Sequence, residues 1–408
     1  MLKVGIIGFG KRGKMMLKTA LDGNFGIEVV AVCDHYLDRA EAARDMVKEV
    51  AGNTPFCTTN EDEVLEMALD AVLVMTAWED HIPVTLKAMK KGIRVGMEVG
   101  GAYSLHDCFK LVDTYEETKT PVMLLENCCY GAKELAVLKM VRDGMFGEIV
   151  HCGGGYCHAL RKEITHGIED RHYRLRNYMS RNCENYPTHE LGPIAKVLNI
   201  NRGNRMVSLN SVASKARGLQ EYVKQHADEL PHLKDTVFNQ GDIITTIITC
   251  ANGETITLKL DTTLPRAYSR CFEVRGTKAS YFEDTDSFFF DNNEEHHKAD
   301  WKWSLQWGNG EKIREEIQHP VWTKHAEAAK NSGHDGMDYM VLAAFFESVR
   351  EGAEPPIDVY DTAAWMCITP LSEESIKKGG APVAIPDFTC GKWAMEREKC
   401  TLEFSLDV

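Results

Sequence analysis

The feature that most constrains the fold is a glycine-rich turn, Gly8-Phe-Gly-Lys-Arg-Gly13, directly behind an apolar run that starts at residue 3. A strand, a glycine-rich turn and a helix start in this order predict a binding site for a dinucleotide pyrophosphate. Gly8 permits the tight turn, Gly10 lets the backbone approach phosphate, and Gly13 lets the helix pack close to its strand. The helix N-terminus then presents N–H groups and a partial positive charge to the anion.

An acidic residue stands where the ribose of such a cofactor would lie. The next strand-like run, residues 27–33, ends at Asp34, about 20 residues past the third glycine, as the dinucleotide fingerprint requires. A carboxylate there accepts hydrogen bonds from ribose hydroxyls and repels a 2′-phosphate, so NAD is favoured over NADP. The alternative interpretation is a polar residue that merely ends a strand.

The length and charge of the chain limit its class. With 408 residues it exceeds one ordinary domain, so we expect a nucleotide-binding domain over 1–127 and a substrate-binding domain over 128–408 whose C-terminal helices pack back. The formal net charge of -14 argues against nucleic acid or an anionic membrane as partner. No apolar run approaches the roughly 18 residues of a membrane span.

The cysteines and histidines show no metal-site spacing. The 13 cysteines are scattered without a Cys-x-x-Cys pair, and no His-Glu-x-x-His occurs, so no metal is expected. Reduced, mostly buried thiols are typical of a cytosolic protein. The first strand starts at Lys3 and leaves no room for a signal peptide, so we expect a cytoplasmic protein.

The hydrophobic pattern divides the chain into two parts. In the first third, apolar runs at 3–8, 27–33, 71–76, 93–97 and 121–125 alternate with helical patterns around 11–22, 38–50, 61–68, 81–91 and 105–118. This alternation predicts an α/β Rossmann domain with a parallel sheet. The run that ends near residue 76 places Trp78 and His81 at the carboxyl edge of the sheet, where they would cover a cofactor or only pack the loop and cap the next helix.

The second part is predicted to be an α+β domain with an open, mostly antiparallel sheet. Strand-like segments appear at 148–157, 206–216, 241–250, 254–261, 269–275 and 280–283, and Asn252-Gly253 between two of them is a hairpin signal. Helices are expected near 336–351 and 360–378. One sheet face is left for a substrate or a second subunit, so we expect a homo-oligomer, a dimer or tetramer.

Two constellations in the second part carry candidate chemistry. Tyr156 and His158 lie two residues apart on one strand, so their side chains share a face. Tyr186-Pro-Thr-His189 opens a helix and puts His189 in its first turn. A histidine can relay a proton from a hydroxyl during hydride transfer. A capping histidine and a sheet aromatic are the alternatives, and a preceding NAD domain favours the chemical roles.

With these residues in place, the chain resembles the glucose–fructose oxidoreductase/inositol dehydrogenase superfamily. Its dehydrogenases usually carry Glu-Lys-Pro after the fifth strand and Asp-x-x-x-His on the substrate helix. Here Glu98-Val99-Gly100 lacks the lysine, and Asn185 replaces the aspartate before His189. The missing lysine indicates chemistry other than that of an ordinary dehydrogenase.

A more specific resemblance is to glycoside hydrolase family 109, the NAD-dependent α-N-acetylgalactosaminidases. It extends over nearly the whole chain. The segments that carry it are Thr76-Ala-Trp-Glu-Asp-His81, Met97-Glu-Val99, Leu125-Glu-Asn-Cys-Cys-Tyr130, Gly144-Met-Phe-Gly-Glu148, Gly154-Gly-Tyr156, Tyr186-Pro-Thr-His189, Asn199-Ile-Asn-Arg-Gly-Asn-Arg205, Gly333-His-Asp-Gly-Met-Asp338, Asp358-Val-Tyr-Asp361 and Ile385-Pro-Asp-Phe388.

This resemblance implies two sets of site residues. The residues that would touch NAD are Lys11, Arg12, Asp34, Trp78, His81, Glu98, Val99, Asn127 and Tyr186, beside the glycines of the turn. The residues that would line the sugar site are Tyr156, Arg174, Tyr186, Pro187, Thr188, His189 and Tyr268. His189 and Tyr156 would be the catalytic residues.

The resemblance also implies redox-assisted hydrolysis of a small glycoside. In this chemistry C3 is transiently oxidised while His189 takes the hydroxyl proton, Tyr156 removes the C2 proton, the aglycone leaves C1, water adds, and C3 is reduced again. Two alternatives remain open. One is a sugar or cyclitol dehydrogenase, or a glycoside 3-oxidase, that releases NADH. The other is a catalytically silent NAD-dependent sensor.

Overall fold

The fold is described from a computed structural model that covers residues 1–291, 307–395 and 399–407. The chain forms two compact units. The first comprises Met1–Gly131, Pro320–Ala363 and the described part of 398–408, and the second comprises Ala132–His319 and the described part of 364–397. The chain passes from the first unit to the second at Gly131/Ala132, and two later segments return to the first, whereas the sequence prediction divides the chain once, at 127/128.

The helices and strands follow in chain order. The helices are α1 Lys11–Asp22, α2 Leu37–Ala51, α3 Glu61–Leu65, α4 Trp78–Lys90, α5 Leu105–Thr118, α6 Ala132–Arg142, α7 Arg161–Thr165, α8 Arg174–Ser180, α9 Thr188–Val197, α10 Gly218–Gln225, α11 Gly310–Glu316, α12 Pro320–Ala329, α13 Met337–Glu351, α14 Val359–Met366 and α15 Ile368–Lys377. The strands are β1 Leu2–Ile7, β2 Ile27–Cys33, β3 Phe56–Thr58, β4 Ala71–Val74, β5 Arg94–Met97, β6 Val122–Leu124, β7 Ile149–Cys157, β8 Met206–Ala213, β9 Ile243–Cys250, β10 Thr255–Asp261, β11 Glu273–Gly276, β12 Ala279–Phe282, β13 Ser287–Phe290 and β14 Val383–Ala384. Among the helices of the described segments, none combines the length and the apolar character needed to cross a lipid bilayer.

The sheet of the first unit is the parallel Rossmann sheet that the sequence predicts. Its order is β3-β2-β1-β4-β5-β6, and every neighbouring pair is parallel. The central strand β4 is entirely buried, as its continuous apolar sequence requires. The strand order reverses between β1 and β4, and ligands of such sheets bind outside the carboxyl ends of the strands at that point.

The second unit is built on a mixed, mostly antiparallel sheet. Its order in the described residues is β13-β12-β11-β7-β10-β9-β8-β14, and the only parallel pair among these strands is β7 with β10. The hairpin of β9 and β10 turns at Asn252-Gly253, where Gly253 has a φ of +100°. Helix α9 packs on β7, and α15 packs on β8. The prediction of an open, mostly antiparallel sheet is confirmed.

Candidate active site

The glycine-rich turn between β1 and α1 leaves room for a ligand at one position and none at the other two. Gly8 has a φ of +100°, and a Cβ there would lie 2.3 Å from the carbonyl oxygen of Met75. A Cβ on Gly13 would lie 2.4 Å from the carbonyl oxygen of Gly8. At Gly10 the nearest atom to an added Cβ is 3.8 Å away, on Arg39. The turn therefore has the open backbone surface that a diphosphate needs.

The N-terminus of α1 has the properties of an anion site. Gly10 caps the helix without a side-chain hydrogen bond, and the first turn contains no acidic residue. Lys11, the first residue of the helix, is exposed. A cation at this end opposes the helix dipole, so the local charge is compensated when an anion binds there. These features fit the diphosphate of NAD, which Gly10 and Lys11 would hold.

Asp34 lies directly beside the glycine-rich turn. Its carboxylate accepts hydrogen bonds from the backbone N–H of Phe9 at 2.6 Å and from that of Tyr36 at 2.9 Å. The side chain is buried after the last residue of β2. Both bonds fix the carboxylate at the strand end, and its remaining lone pairs suit the ribose hydroxyls.

Arg12 belongs to a partly buried ion-pair network centred on the buried Asp338. Its Nη1 and Nη2 atoms lie 2.7 and 2.8 Å from the two carboxylate oxygens of Asp338, and its Nε lies 3.1 Å from Glu98. Asn127 donates its side-chain N–H to Asp338 at 2.8 Å. The Nδ1 atom of His334 lies 2.9 Å from the same carboxylate. Two residues that the sequence assigns to NAD, Arg12 and Asn127, are thus joined by one that it does not assign.

The charge state of Asp338 follows from this network. Burial by itself raises the pKa of the carboxyl group, but hydrogen bonds from His334 and Arg12 and the charge of Arg12 lower it well below the ordinary value. Asp338 is therefore ionised at neutral pH. One negative charge organises a guanidinium, an amide and an imidazole.

Trp78 and His81 open helix α4 after β4, and both are buried. A Cβ on Gly100 would lie 2.4 Å from the Trp78 ring, so the glycine after Val99 lets the indole pack against this loop. The Nε2 atom of His81 lies 3.0 Å from the carbonyl oxygen of Thr76. Burial lowers the pKa of His81 to about 4, so the ring is neutral at neutral pH. Its hydrogen bond to Thr76 stabilises the β4–α4 turn. A contact of either residue with NAD stays a prediction.

The second unit brings three side chains of the predicted sugar site, Tyr156, Tyr186 and His189, into one cluster with His158. The ring centres of Tyr156 and Tyr186 are 4.3 Å apart, and His189 lies 4.8 Å from Tyr186 and 5.5 Å from Tyr156. His158 is 6.1 Å from Tyr156, just beyond the end of β7. Tyr156 and Tyr186 are buried, whereas His189 is half-buried. The cluster places an imidazole and a phenol side by side.

The start of α9 positions His189 as the sequence predicts. Pro187 occupies the N-cap position, and Thr188 and His189 are the first two helical residues. The preceding Tyr186 therefore lies outside the helix, next to the histidine ring. Gly154 on β7 allows α9 to approach, since a Cβ there would lie 2.7 Å from Glu190. This close packing of strand and helix is what brings Tyr156 to His189.

Arg174 lies over the ring cluster. Its guanidinium carbon is 5.2 Å from the centre of the Tyr186 ring, and its Nε lies 3.0 Å from Glu163. Burial alone lowers the pKa of Arg174, but the neighbouring Tyr156, Tyr173 and Glu163 raise it above the ordinary value. The guanidinium stays charged and can donate to sugar or amide oxygens. Glu163 is a contact of this site that the sequence prediction missed.

Tyr268 lies at the exposed end of the cluster. Its ring centre is 5.2 Å from that of His158, and Arg270 donates to its hydroxyl at 3.4 Å. Arg270 is held in turn by the buried Glu134, whose oxygen lies 2.8 Å from the arginine Nε. Arg270 lies two residues beyond Tyr268 on the same strand-like segment. That spacing is the only sequence signal for it, and nothing in the sequence links it to Glu134.

Comparison with known proteins agrees with both halves of this description. Residues 2–125 match the oxidoreductase family with an NAD-binding Rossmann fold, and residues 130–395 match the C-terminal domain of glycosyl hydrolase 109. A glycosyl hydrolase family 109 protein from Stenotrophomonas maltophilia is 38% identical over 97% of this chain and 91% of its own length. An alpha-N-acetylgalactosaminidase from Tannerella forsythia is 36% identical over 96% of this chain and 87% of its own.

The fold is also similar to a crystal structure of an oxidoreductase from Agrobacterium radiobacter in complex with NAD⁺, L-tartaric acid and magnesium. The TM-score is 0.67 at 13% identity, and the match covers 94% of this chain and 98% of that one. Fold and site together define a protein that binds NAD through a Rossmann domain followed by an open-sheet domain. Within that class, the chain belongs to glycosyl hydrolase family 109 and is an NAD-dependent glycoside hydrolase. The family resemblance and the NAD cofactor expected from the sequence are confirmed.

Proposed function

We propose that this enzyme hydrolyses α-N-acetylgalactosaminides or closely related glycosides by redox-assisted elimination. The substrate class is supported by the name of the Tannerella relative. The observation that carries the mechanism is the contact of Tyr156, Tyr186 and His189 in the second unit. Two proton-carrying groups side by side, His189 and Tyr156, suit a substrate that loses one proton from its C3 hydroxyl and one from the adjacent C2.

Each residue of the cluster has a defined role in this proposal. When bound, NAD would supply the reversible two-electron oxidation of sugar C3. His189 accepts the proton of the C3 hydroxyl and returns it when C3 is reduced again. Tyr156 removes the C2 proton, which the neighbouring C3 ketone acidifies, and the aglycone leaves C1 as a double bond forms between C1 and C2. Water then adds across this double bond, with its hydroxyl at C1 and a proton at C2, so the net reaction is hydrolysis.

The cationic side chain of the cluster aids the phenol. Arg174 is buried, and the nearby Tyr156 raises the pKa of its guanidinium. A positive charge there favours the phenolate that the C2 base requires. Arg174 and Tyr268 would also hold sugar hydroxyls or an N-acetyl group, with Tyr186, Pro187 and Thr188 as the remaining wall of the site.

The cofactor residues are proposed with the same assignments as in the sequence. The set comprises Gly8, Gly10, Lys11, Arg12, Gly13, Asp34, Trp78, His81, Glu98, Val99, Asn127 and Tyr186. The open backbone at Gly10 and the fixed carboxylate of Asp34 support it. The missing lysine at Val99 favours net hydrolysis over net oxidation.

We further propose that the protein is cytoplasmic and forms a homodimer or tetramer. The many thiols without a disulfide-framework pattern support the compartment. Val212 on β8 and Ile247 on β9 are exposed hydrophobic side chains on adjacent strands of the second sheet. A second copy packing on this sheet face would cover them. Light scattering of wild type and of Ile247→Lys would test the assembly, since the variant should dissociate.

One assay tests the catalytic proposal. The purified protein is incubated with α- and β-aryl glycosides of N-acetylgalactosamine and related sugars in D₂O, while phenol release and absorbance at about 340 nm are followed together. Hydrolysis predicts phenol release without accumulation of NADH, and deuterium at C2 of the sugar product. Stoichiometric NADH would instead identify a dehydrogenase or 3-oxidase. A product without deuterium excludes elimination.

A further inference from the structure

A motif that the proposed function leaves unused lies at the start of α13. Gly333-His-Asp-Gly-Met-Asp338 forms a 3₁₀ turn, His334–Gly336, followed by the helix. His334 and Asp335 have φ values of +52° and +53°, and Gly336 follows at +94°. His334 and Asp335 are consecutive residues with left-handed backbone, and neither is glycine, so this conformation is costly. Such strain persists where the surrounding structure fixes it, often at functional sites.

The turn places Asp338 in the first unit, next to Arg12 and Asn127. Asp338 is fully buried, and a Cβ on Gly333 would lie 2.5 Å from its carboxylate, so only glycine leaves room for that oxygen. Arg12 is bound by both carboxylate oxygens, and Asn127 by one. These two residues follow different strands of the sheet, yet one carboxylate fixes the orientation of both side chains.

A purely structural role explains this arrangement poorly. The ion pair of Asp338 and the half-buried Arg12 contributes little net stability, because the desolvation cost of the buried carboxylate offsets the attraction. The arrangement does fix the direction of each polar group: Arg12 is also held by Glu98 at 3.1 Å, so its guanidinium has a single orientation.

We propose that Asp338 is a positioning residue for NAD, and that it orients the side chains of Arg12 and Asn127 toward the cofactor with His334 as its second support. The inference rests on the proposed assignment of Arg12 and Asn127 to the cofactor site. Asp338 itself acts through these neighbours. Its removal lowers NAD affinity because the guanidinium and the amide lose their fixed directions.

The test is the dissociation constant of NAD, measured by calorimetry on the full-length protein, for wild type and Asp338→Asn. The variant keeps the shape of the side chain and loses the charge. We expect an increase of about tenfold or more, since the variant loses the charge-assisted hydrogen bonds that fix the Arg12 guanidinium. Glu347→Gln is the matched control on the same helix, because Glu347 accepts backbone bonds from Glu403 and Phe404. The control should lose thermal stability and keep its NAD affinity.

Two further variants make each outcome decisive. A folded Asp338→Asn protein with unchanged affinity overturns the inference, as does an equal loss of affinity in Glu347→Gln. If Asp338→Asn does not fold, the half-exposed His334 is changed to Gln, and an unchanged affinity there overturns the inference instead. Arg12→Gln separates this inference from the proposed function. If Arg12→Gln binds NAD as wild type does, Arg12 does not belong to the cofactor site. If Arg12→Gln binds NAD more weakly but Asp338→Asn does not, only the role of Asp338 is refuted.

Discussion

The proposed nucleotide site of the first unit and the proposed sugar site of the second unit are built from different kinds of groups. In the first, backbone geometry dominates: a turn with glycine at a φ of +100° and a helix N-terminus without a capping side chain. In the second, the functional groups are the rings of Tyr156, Tyr186 and His189, which lie within 5.5 Å of one another. A backbone site depends on a few adjacent residues, whereas a ring cluster depends on the packing of separate elements.

The charges of the two sites differ as well. In the first unit, the half-buried Arg12 is paired with two buried carboxylates, those of Glu98 and Asp338. In the second, Arg174 lies over an aromatic ring, and its carboxylate partner Glu163 is only partly buried. The first arrangement suits a cofactor that stays bound in one pose. The second would leave a cation and the side chains of His189 and Tyr156 available for chemistry on a substrate.

The largest expected effect comes from a substitution that removes activity at the second site and leaves NAD binding at the first site unchanged. His189→Ala should lower kcat by about 10³-fold, in the range for loss of a positioned acid–base group, while NAD affinity stays unchanged. Phenol release and NAD titration of the same preparation measure both quantities.

His151→Gln is the control for this prediction. His151 lies on β7, where it bonds to Thr255, away from the ring cluster. It should retain full activity. Substantial activity in His189→Ala would remove the proton role of that residue.

The next prediction compares Gly8, which the backbone of the turn requires, with Gly10, which leaves room for a ligand. Gly8→Ala should destabilise the protein by roughly 3 kcal/mol or more, because the backbone is left-handed and the new Cβ meets the Met75 carbonyl oxygen. Gly10→Ala should fold with nearly unchanged stability, since its φ of -71° suits alanine. Its new Cβ would occupy the space of the diphosphate and weaken NAD binding about tenfold or more.

Thermal unfolding and NAD titration of both variants test this contrast. A Gly10→Ala protein that binds NAD as wild type does would place the diphosphate elsewhere. Equal stability losses in the two variants would show that the turn has no open position.

The smallest effect is the pH dependence of stability, and its sign differs between a residue of the first unit and a residue of the second. Burial lowers the pKa of His81, in the first unit, from 6.5 to about 4. The unfolded chain then binds more protons between these values, so stability falls as pH decreases from 6.5 to 4, by up to about 3 kcal/mol. Burial raises the pKa of Glu184, in the second unit, from 4.5 to about 8. Here the folded chain binds more protons, so stability falls as pH rises from 4.5 to 8.

Denaturant unfolding from pH 4 to 9 compares wild type with His81→Gln and Glu184→Gln. The first variant should lose less stability than wild type in acid, and the second should lose less toward pH 8. Parallel curves for a variant and wild type would show that the residue does not titrate in that range.

Much of the first unit was predictable because its determinants are local. Alternating apolar and helical periods predict five of its strands and its order of elements, and the roles proposed for Gly8, Gly10 and Asp34 depend on their own backbone or strand position. The strands β3 and β14 are missing from the prediction because each is short and lies in no longer apolar run. The equally short β6 is predicted because the apolar run 121–125 extends beyond it.

The sequence by itself determined the cofactor turn, the helix start at Pro187 and the shared strand face of Tyr156 and His158, because each follows from neighbours within a few positions. Only the tertiary structure decided which distant groups meet. Asp338 reaches Arg12 across 326 positions of the chain, and Glu134 reaches Arg270 across 136. Pairings of this kind depend on how whole helices and strands pack, and no local pattern of residues encodes them.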